Sequence, residues 1–210
     1  MRRFEQVWKN GVPNLGPPRE WFNSRTGKTE KIPPGCDPGF DTNPGLAVSR
    51  VGWARGWLTQ KVATAEPALA QAVVSAWIKS PDFAAFLKSP DGSVPVMLLP
   101  DAAAQAIGAQ QRLVVLSDQS TVKNVNHHPE LTVEDYRQLP EMGSKPDLIV
   151  HNRPQTVVIV RHNDKLYWAA IKTTGDRQEN FLTSFRRTNS KDIAELIKRG
   201  TVVAGGPIEG

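Results

Sequence analysis

Lys123, His127 and His128 stand close together in the run LSDQSTVKNVNHHPELTVEDYRQLP, and a second reactive group follows in FLTSFRR, at Thr183, Ser184 and Arg186. Tyr167 lies between the two. Histidine moves protons near neutral pH, and lysine and arginine hold developing negative charge. Together they suit RNA cleavage without a metal. The ribose 2′-hydroxyl must lose a proton, the phosphorane gathers charge, and the 5′-oxygen must be protonated as it leaves. Arginine offers a planar fork to phosphate, lysine a point charge, and an exposed tyrosine a stacking surface for an unpaired base. Taken by residue type alone, two histidines before a proline more often cap or coat a helix end, and Arg-Arg at a strand end more often forms a solvated edge. Zinc on His127, His128, His151 and His162 is disfavoured, since these do not fall at ligand spacing and adjacent histidines rarely coordinate together. No metal and no small-molecule cofactor is expected.

Positioning these groups requires helices followed by strands. Ser117 can cap a helix over residues 118–126, placing Lys123 and His127 one turn apart on one face, with His128 at the exit before Pro129. Thr132-Val133-Glu134-Asp135 has the form of a capping box, and Leu131 with Tyr136 the positions of a hydrophobic staple, so a second helix should run to about Leu139. After Pro146 the period becomes two. Strands are expected over 148–152, 156–161, 166–173 and 178–187, joined by connections short enough to force antiparallel pairing. Asn189 or Ser190 caps a closing helix that turns Ile193, Leu196 and Ile197 inward and ends at Gly200. Simple alternation puts Phe181, Thr183, Phe185 and Arg187 on a buried face. Tyr167, Ser184 and Arg186 then share an open one, within reach of whatever the helices bring over the sheet. Trp168 falls with Thr183.

Upstream, Pro67 opens a helix with Leu69, Val73, Ala76 and Trp77 as its apolar stripe, and Ser80-Pro81 opens a shorter one carrying Phe83, Phe86 and Leu87. Residues 94–99 and 113–116 read as strands and 101–107 as an Ala-rich helix. The first 50 residues hold many of the 17 prolines and 16 glycines and follow no long period, so they should be loop-rich. Trp8 and Trp21 are expected to pin that strap, and residues 21–32 to form a hairpin turning near Thr26-Gly27.

A net charge of +5 favours a polyanionic partner, nucleic acid before membrane. No apolar run approaches the roughly 20 residues of a spanning helix, and the opening MRRFEQVW lacks a signal peptide's apolar core, so a soluble protein is expected. The single cysteine, Cys36, denies the chain an internal disulfide and points to a reducing cytoplasm.

The run PPGCDPGFDTNPG resembles the DPGFDYNPG signature near the end of phage Mu F-like head morphogenesis proteins, minor head proteins that sit near the portal. The likeness covers about residues 19 to 50, with Thr42 where an aromatic residue is usual. Its Asp37-Pro38-Gly39 and Asn43-Pro44-Gly45 steps also read as consecutive turns. Over about residues 113 to 190 the chain resembles the phage-borne branch of the barnase/EndoU/colicin/RelE-like nucleases. The resemblance is carried by Leu116-Ser117, Lys123, His128-Pro129-Glu130-Leu131 and Thr183-Ser184-Phe185-Arg186. It implies an α+β fold of helices followed by a four-stranded antiparallel sheet, and a metal-independent ribonuclease with a toxin or host-takeover role. Lys123, His128, Ser184 and Arg186 would be catalytic, with His127, Tyr167 and Thr183 contacting substrate and Lys172 an alternative. The implied partners are RNA, phage head or portal proteins and an immunity protein, with no membrane; the implied places are the virion head and the host cytoplasm. The expected organisation is a head-protein segment over residues 1–62, a helical linker over 63–93, the nuclease-like domain over 94–200 and a tail over 201–210. The other reading is a non-enzymatic minor head protein whose basic residues touch packaged DNA, capsid or portal.

Overall fold

The computed structural model describes residues 65–206, together with Val62 and the short strands β1 (Trp8–Lys9), β2 (Val12–Pro13), β3 (Arg19–Asn23) and β4 (Lys28–Ile32). β3 and β4 pair antiparallel, Arg19 opposite Ile32 and Asn23 opposite Lys28, which is the hairpin expected there. Its turn at Thr26-Gly27, the Asp-Pro-Gly run with Cys36, and the side chains of Trp8 and Trp21 lie outside the described residues.

From Pro67 onward the chain is α+β. The elements in order are α1 (Pro67–Ile78), α2 (Pro81–Lys88), β5 (Ser93–Leu98), α3 (Asp101–Ile107), β6 (Leu113–Ser117), α4 (Asp118–His127), α5 (Val133–Tyr136), α6 (Leu139–Ser144), β7 (Leu148–Arg153), β8 (Thr156–Asn163), β9 (Lys165–Thr173), β10 (Asn180–Arg187), α7 (Ser190–Arg199) and β11 (Thr201–Gly205). The strands form one seven-stranded sheet in the order β11-β7-β8-β9-β10-β6-β5. The expected four-stranded antiparallel sheet is thus only its β7–β10 part. β6 joins β10 in parallel through Asn180–Val114 and Phe181–Val115, β5 adds antiparallel to β6, and the expected tail becomes edge strand β11 against β7.

Local signals set most boundaries. Ser80 Oγ accepts from the Phe83 amide at 3.3 Å, Ser117 Oγ from Ser120 at 3.2 Å and Asn189 Oδ1 from Asp192 at 2.9 Å, so each helix opens on a side chain that satisfies an orphan donor. Ser117→Ala should therefore cost about 1 kcal/mol, seen as a lower urea midpoint at unchanged slope. The expected second helix ends at Tyr136 as α5, and after Arg137 and Gln138 an unexpected helix, α6, follows with Pro140 in its first turn.

A large core fills one side of the sheet. It takes Val73, Val74, Trp77 and Ile78 from α1, Phe83 and Phe86 from α2, Ala103 and Ile107 from α3, and Tyr136, Leu139 and Met142 from α5 and α6. Residues 67–88 therefore belong to the same packed unit as the strands. Leu69, placed on the sequence-based stripe, is 40% exposed; Ala70 takes its place. Gly143 is where α6 comes closest to β5: a Cβ there would collide with the Leu98 carbonyl oxygen. Gly143→Ala should destabilise by about 1–3 kcal/mol, read from the same denaturation curve. The other side of the sheet carries a smaller core, Leu148, Val150, Val158 and Val160 under Ile193 and Leu196 of α7.

Candidate functional site

β10 and what borders it organise the site. The parallel ladder with β6 spans only Asn180 and Phe181. Beyond it the chain of β6 has become α4, which runs on along the edge of β10. Asn124 on α4 is buried, and its Oδ1 accepts the Phe185 amide at 3.4 Å, so a side chain replaces a lost ladder partner. β10 also carries a bulge at Thr183, between the pairs Leu182–Ile171 and Ser184–Ala170. One extra residue shifts every later partner by one, which moves it to the other face.

That bulge corrects the expected face assignment. Ser184 lies opposite Ala170, Arg186 opposite Trp168 and Arg187 opposite Tyr167. Ser184 and Arg186 therefore share the α7 side with Trp168. Tyr167 instead faces the large core, 4% exposed, stacked on Phe185 with ring centroids 5.8 Å apart. It is not an open stacking platform. Thr183, the bulge residue, pairs with no strand partner, and its hydroxyl donates to the Ala170 carbonyl at 3.0 Å.

The histidine and lysine groups fall as the helix spacing requires. Lys123 and His127 are both exposed, one turn apart on α4. His128 is the C-cap residue, and its amide donates to the Asn124 carbonyl at 2.8 Å. Its Nδ1 lies 3.5 Å from Glu130 Oε1. The four residues expected to be catalytic are thus divided: Lys123 is on the exposed face of α4 and His128 at its C-terminal end, while Ser184 and Arg186 belong to the α7 face. Arg186 is also engaged there, its guanidinium 4.6 Å from the Trp168 ring and its Nη1 donating to Asp192 Oδ2 at 2.6 Å. That contact holds the Asp192 carboxyl below the usual carboxylate range.

The neighbour in sequence, Arg187, is the arginine on the side of His128. Its Nε and Nη2 donate to Asp135 Oδ1 at 2.9 Å and Oδ2 at 2.7 Å, a two-point fork on a carboxylate only 1% exposed. Asp135 also accepts from Tyr167 Oη at 2.9 Å, from the Thr132 amide at 2.7 Å and from the Thr132 hydroxyl at 2.7 Å, with Lys165 Nζ at 3.7 Å. Burial pushes the Asp135 carboxyl up, but Arg187, Thr132 and Tyr167 together pull it well below the ordinary carboxylate range. Tyr167 moves the other way, pushed up to about 12 by burial and by its bond to Asp135, so at neutral pH its hydroxyl keeps the proton it donates. The Asp135 carboxylate beside Arg187 raises the guanidinium further, and Glu130 adds to this through space. Glu130 therefore lies within electrostatic reach of both His128 and Arg187.

The end of the sheet at the start of β9 and the end of β10 thus collects a guanidinium fixed on a buried carboxylate and Lys165, with Glu130, the carboxylate facing His128, within electrostatic reach of that guanidinium. Arg187 keeps Nη1, to which no side chain among the described residues bonds, and its side chain is 32% exposed. Such a set can orient an imidazole for proton transfer and hold an oxyanion. Sequence reasoning missed Asp135 and Lys165 as parts of it and chose Arg186 over Arg187. Glu130 lay inside the quoted His-Pro-Glu-Leu string without a role. Among the described residues no group of three or more His, Cys, Asp or Glu is placed to hold a metal ion, and no helix is long and apolar enough to cross a membrane. No family model matches the chain, and neither a curated protein nor a solved structure was found to match it.

Proposed function

We propose that this chain cleaves RNA without a metal, at the end of the sheet where α4, α5, β9 and β10 meet. The observation that carries this reading is the His128–Glu130 pair, with Glu130 in electrostatic reach of an arginine immobilised on buried Asp135. Glu130 on Nδ1 directs Nε2 of His128 outward, where it can take the proton of a ribose 2′-hydroxyl. The 2′-oxygen attacks the adjacent phosphorus, the bond to the 5′-oxygen breaks, and that oxygen leaves with the proton His128 returns. The products are a 2′,3′-cyclic phosphate and a 5′-hydroxyl. Arg187 Nη1 faces the phosphorane, and because its other nitrogens are tied to Asp135 it needs no reorganisation as charge develops. Lys165, half-exposed, and Lys123 on the outer face of α4 add positive charge along the path of the RNA backbone.

In this reading Arg187 replaces Arg186 at the phosphate, and Ser184 lies on the other face. The setting is that of the resemblance, a nuclease domain carried by a phage minor head segment, and it is part of the proposal. The test is incubation of the full chain with RNA in EDTA, beside His128→Ala, Arg187→Ala and Ser184→Ala. Cleavage should vanish in the first two and survive in the third, with circular dichroism unchanged for His128→Ala. An inert parent protein would leave the minor head reading, with the same cations on packaged DNA.

A further inference from the structure

The opposite face of the same strands holds a cleft of about 210 Å³, walled by Asn152 of β7, Trp168 of β9, Arg186 of β10 and Glu195 and Arg199 of α7. We propose that this cleft takes one unpaired nucleotide, its base against the Trp168–Arg186 ledge and its phosphate on Arg199.

The argument starts from Trp168. Its neighbours on this face are aliphatic or small, Val158, Val160, Ala170 and Leu196 among them, so a half-buried indole is the exception there. The Arg186 guanidinium lies over the indole, its carbon 4.6 Å from the ring centroid, so the two flat groups form one layered wall of the cleft. The ledge is held still: Arg186 is tied to Asp192, and the Asp192 amide is itself bonded to Asn189 Oδ1. A preordered platform binds without an ordering cost. Because Asp192 already neutralises Arg186, a bare anion gains little at the floor of the cleft. A planar ring with donors and acceptors at its edge gains stacking there, and Asn152 offers one of each to that edge. At the mouth, Arg199 is 76% exposed and only 3.4 Å from Glu195, an exposed pair worth little, so its guanidinium is free to turn to a phosphate. Size agrees: 210 Å³ is below the roughly 300–1,000 Å³ of sites for drug-sized ligands and suits a single base.

The probe is a fluorescein-labelled 2′-O-methyl hexanucleotide, which has no free 2′-hydroxyl and cannot be cut by the proposed reaction. Anisotropy is read for the full chain, for Arg199→Glu and for Trp168→Phe, with an abasic strand, adenosine 5′-monophosphate and inorganic phosphate as competitors. Binding should weaken about tenfold in each variant, the abasic strand and inorganic phosphate should compete poorly, and circular dichroism should be unchanged. Competition by the mononucleotide identifies a free nucleotide as the ligand; its failure while the hexanucleotide binds identifies a strand. An abasic strand that competes as well as the intact one, variants that bind like the parent, or no binding by any probe overturns the proposal. This readout does not involve cleavage, so an RNA left intact by a chain that still binds the hexanucleotide removes the nuclease reading alone.

Discussion

Replacing His128 by alanine should lower the turnover of RNA by about 10²–10⁴, the range that a positioned proton donor or acceptor contributes. The loss should fall on kcat and leave KM near its parent value, because the imidazole acts on protons that move only as the phosphorane forms. Glu130→Gln should lie between the two. It keeps the shape of the partner 3.5 Å from Nδ1 but removes the negative charge that faces the ring. A further check is the neighbouring His127, which is exposed on the outer face of α4. His127→Ala should retain turnover within a few-fold, which separates the two adjacent histidines by role.

Asp135→Ala should be the most damaging change to the fold at this end of the sheet, lowering stability by about 3 kcal/mol or more. One carboxylate there closes the capping box with Thr132, accepts the Tyr167 hydroxyl and takes both prongs of the Arg187 fork. Its loss leaves a phenol and a guanidinium without their acceptor. Urea denaturation checks the magnitude. Activity should fall with stability, because Arg187 loses the contact that fixes it.

The pH dependence follows in sign. The folded Asp135 carboxyl is held below its unfolded value of about 3.9, so the folded state binds fewer protons through this group. The stabilisation is full above the unfolded value and is lost as pH falls through the folded one. Urea midpoints should therefore decline as pH drops from about 5 toward 2, and Asp135→Asn should flatten that decline while starting from a lower midpoint.

Much of the frame was legible because it is local. Ser117, Thr132 and Asn189 announce their helices through caps three residues long, and the Leu131–Tyr136 staple sits across one turn. The four strands from Leu148 to Arg187 follow a period-two pattern interrupted by short turns. The partnership of Asp135 with Tyr167 and Arg187 crosses 32 and 52 residues, and nothing in a capping box tells that its carboxylate will also anchor two strands. The parallel contact of β6 with β10 is equally non-local and enlarges the sheet from four strands to seven. The bulge at Thr183 mattered most for the site. Alternation after it held, with Phe185 and Arg187 on one face and Ser184 and Arg186 on the other, yet the inserted residue put Leu182 on the large-core side and brought Tyr167 opposite Arg187 instead of onto the face of Ser184. Thr183 carries no residue-type signal for a bulge; Gly, the residue most often associated with such a kink, is absent from β10.

The claim on which the account rests is a ribose-dependent, metal-free transfer at His128. Its most direct test is a DNA oligonucleotide bearing a single ribonucleotide, incubated with the full chain in EDTA and analysed by mass spectrometry. The expected result is one cut, on the 3′ side of the ribose, leaving a 2′,3′-cyclic phosphate, and no cut by His128→Ala. Cutting at deoxyribose positions, or an oligonucleotide left whole while the protein is folded, would contradict it.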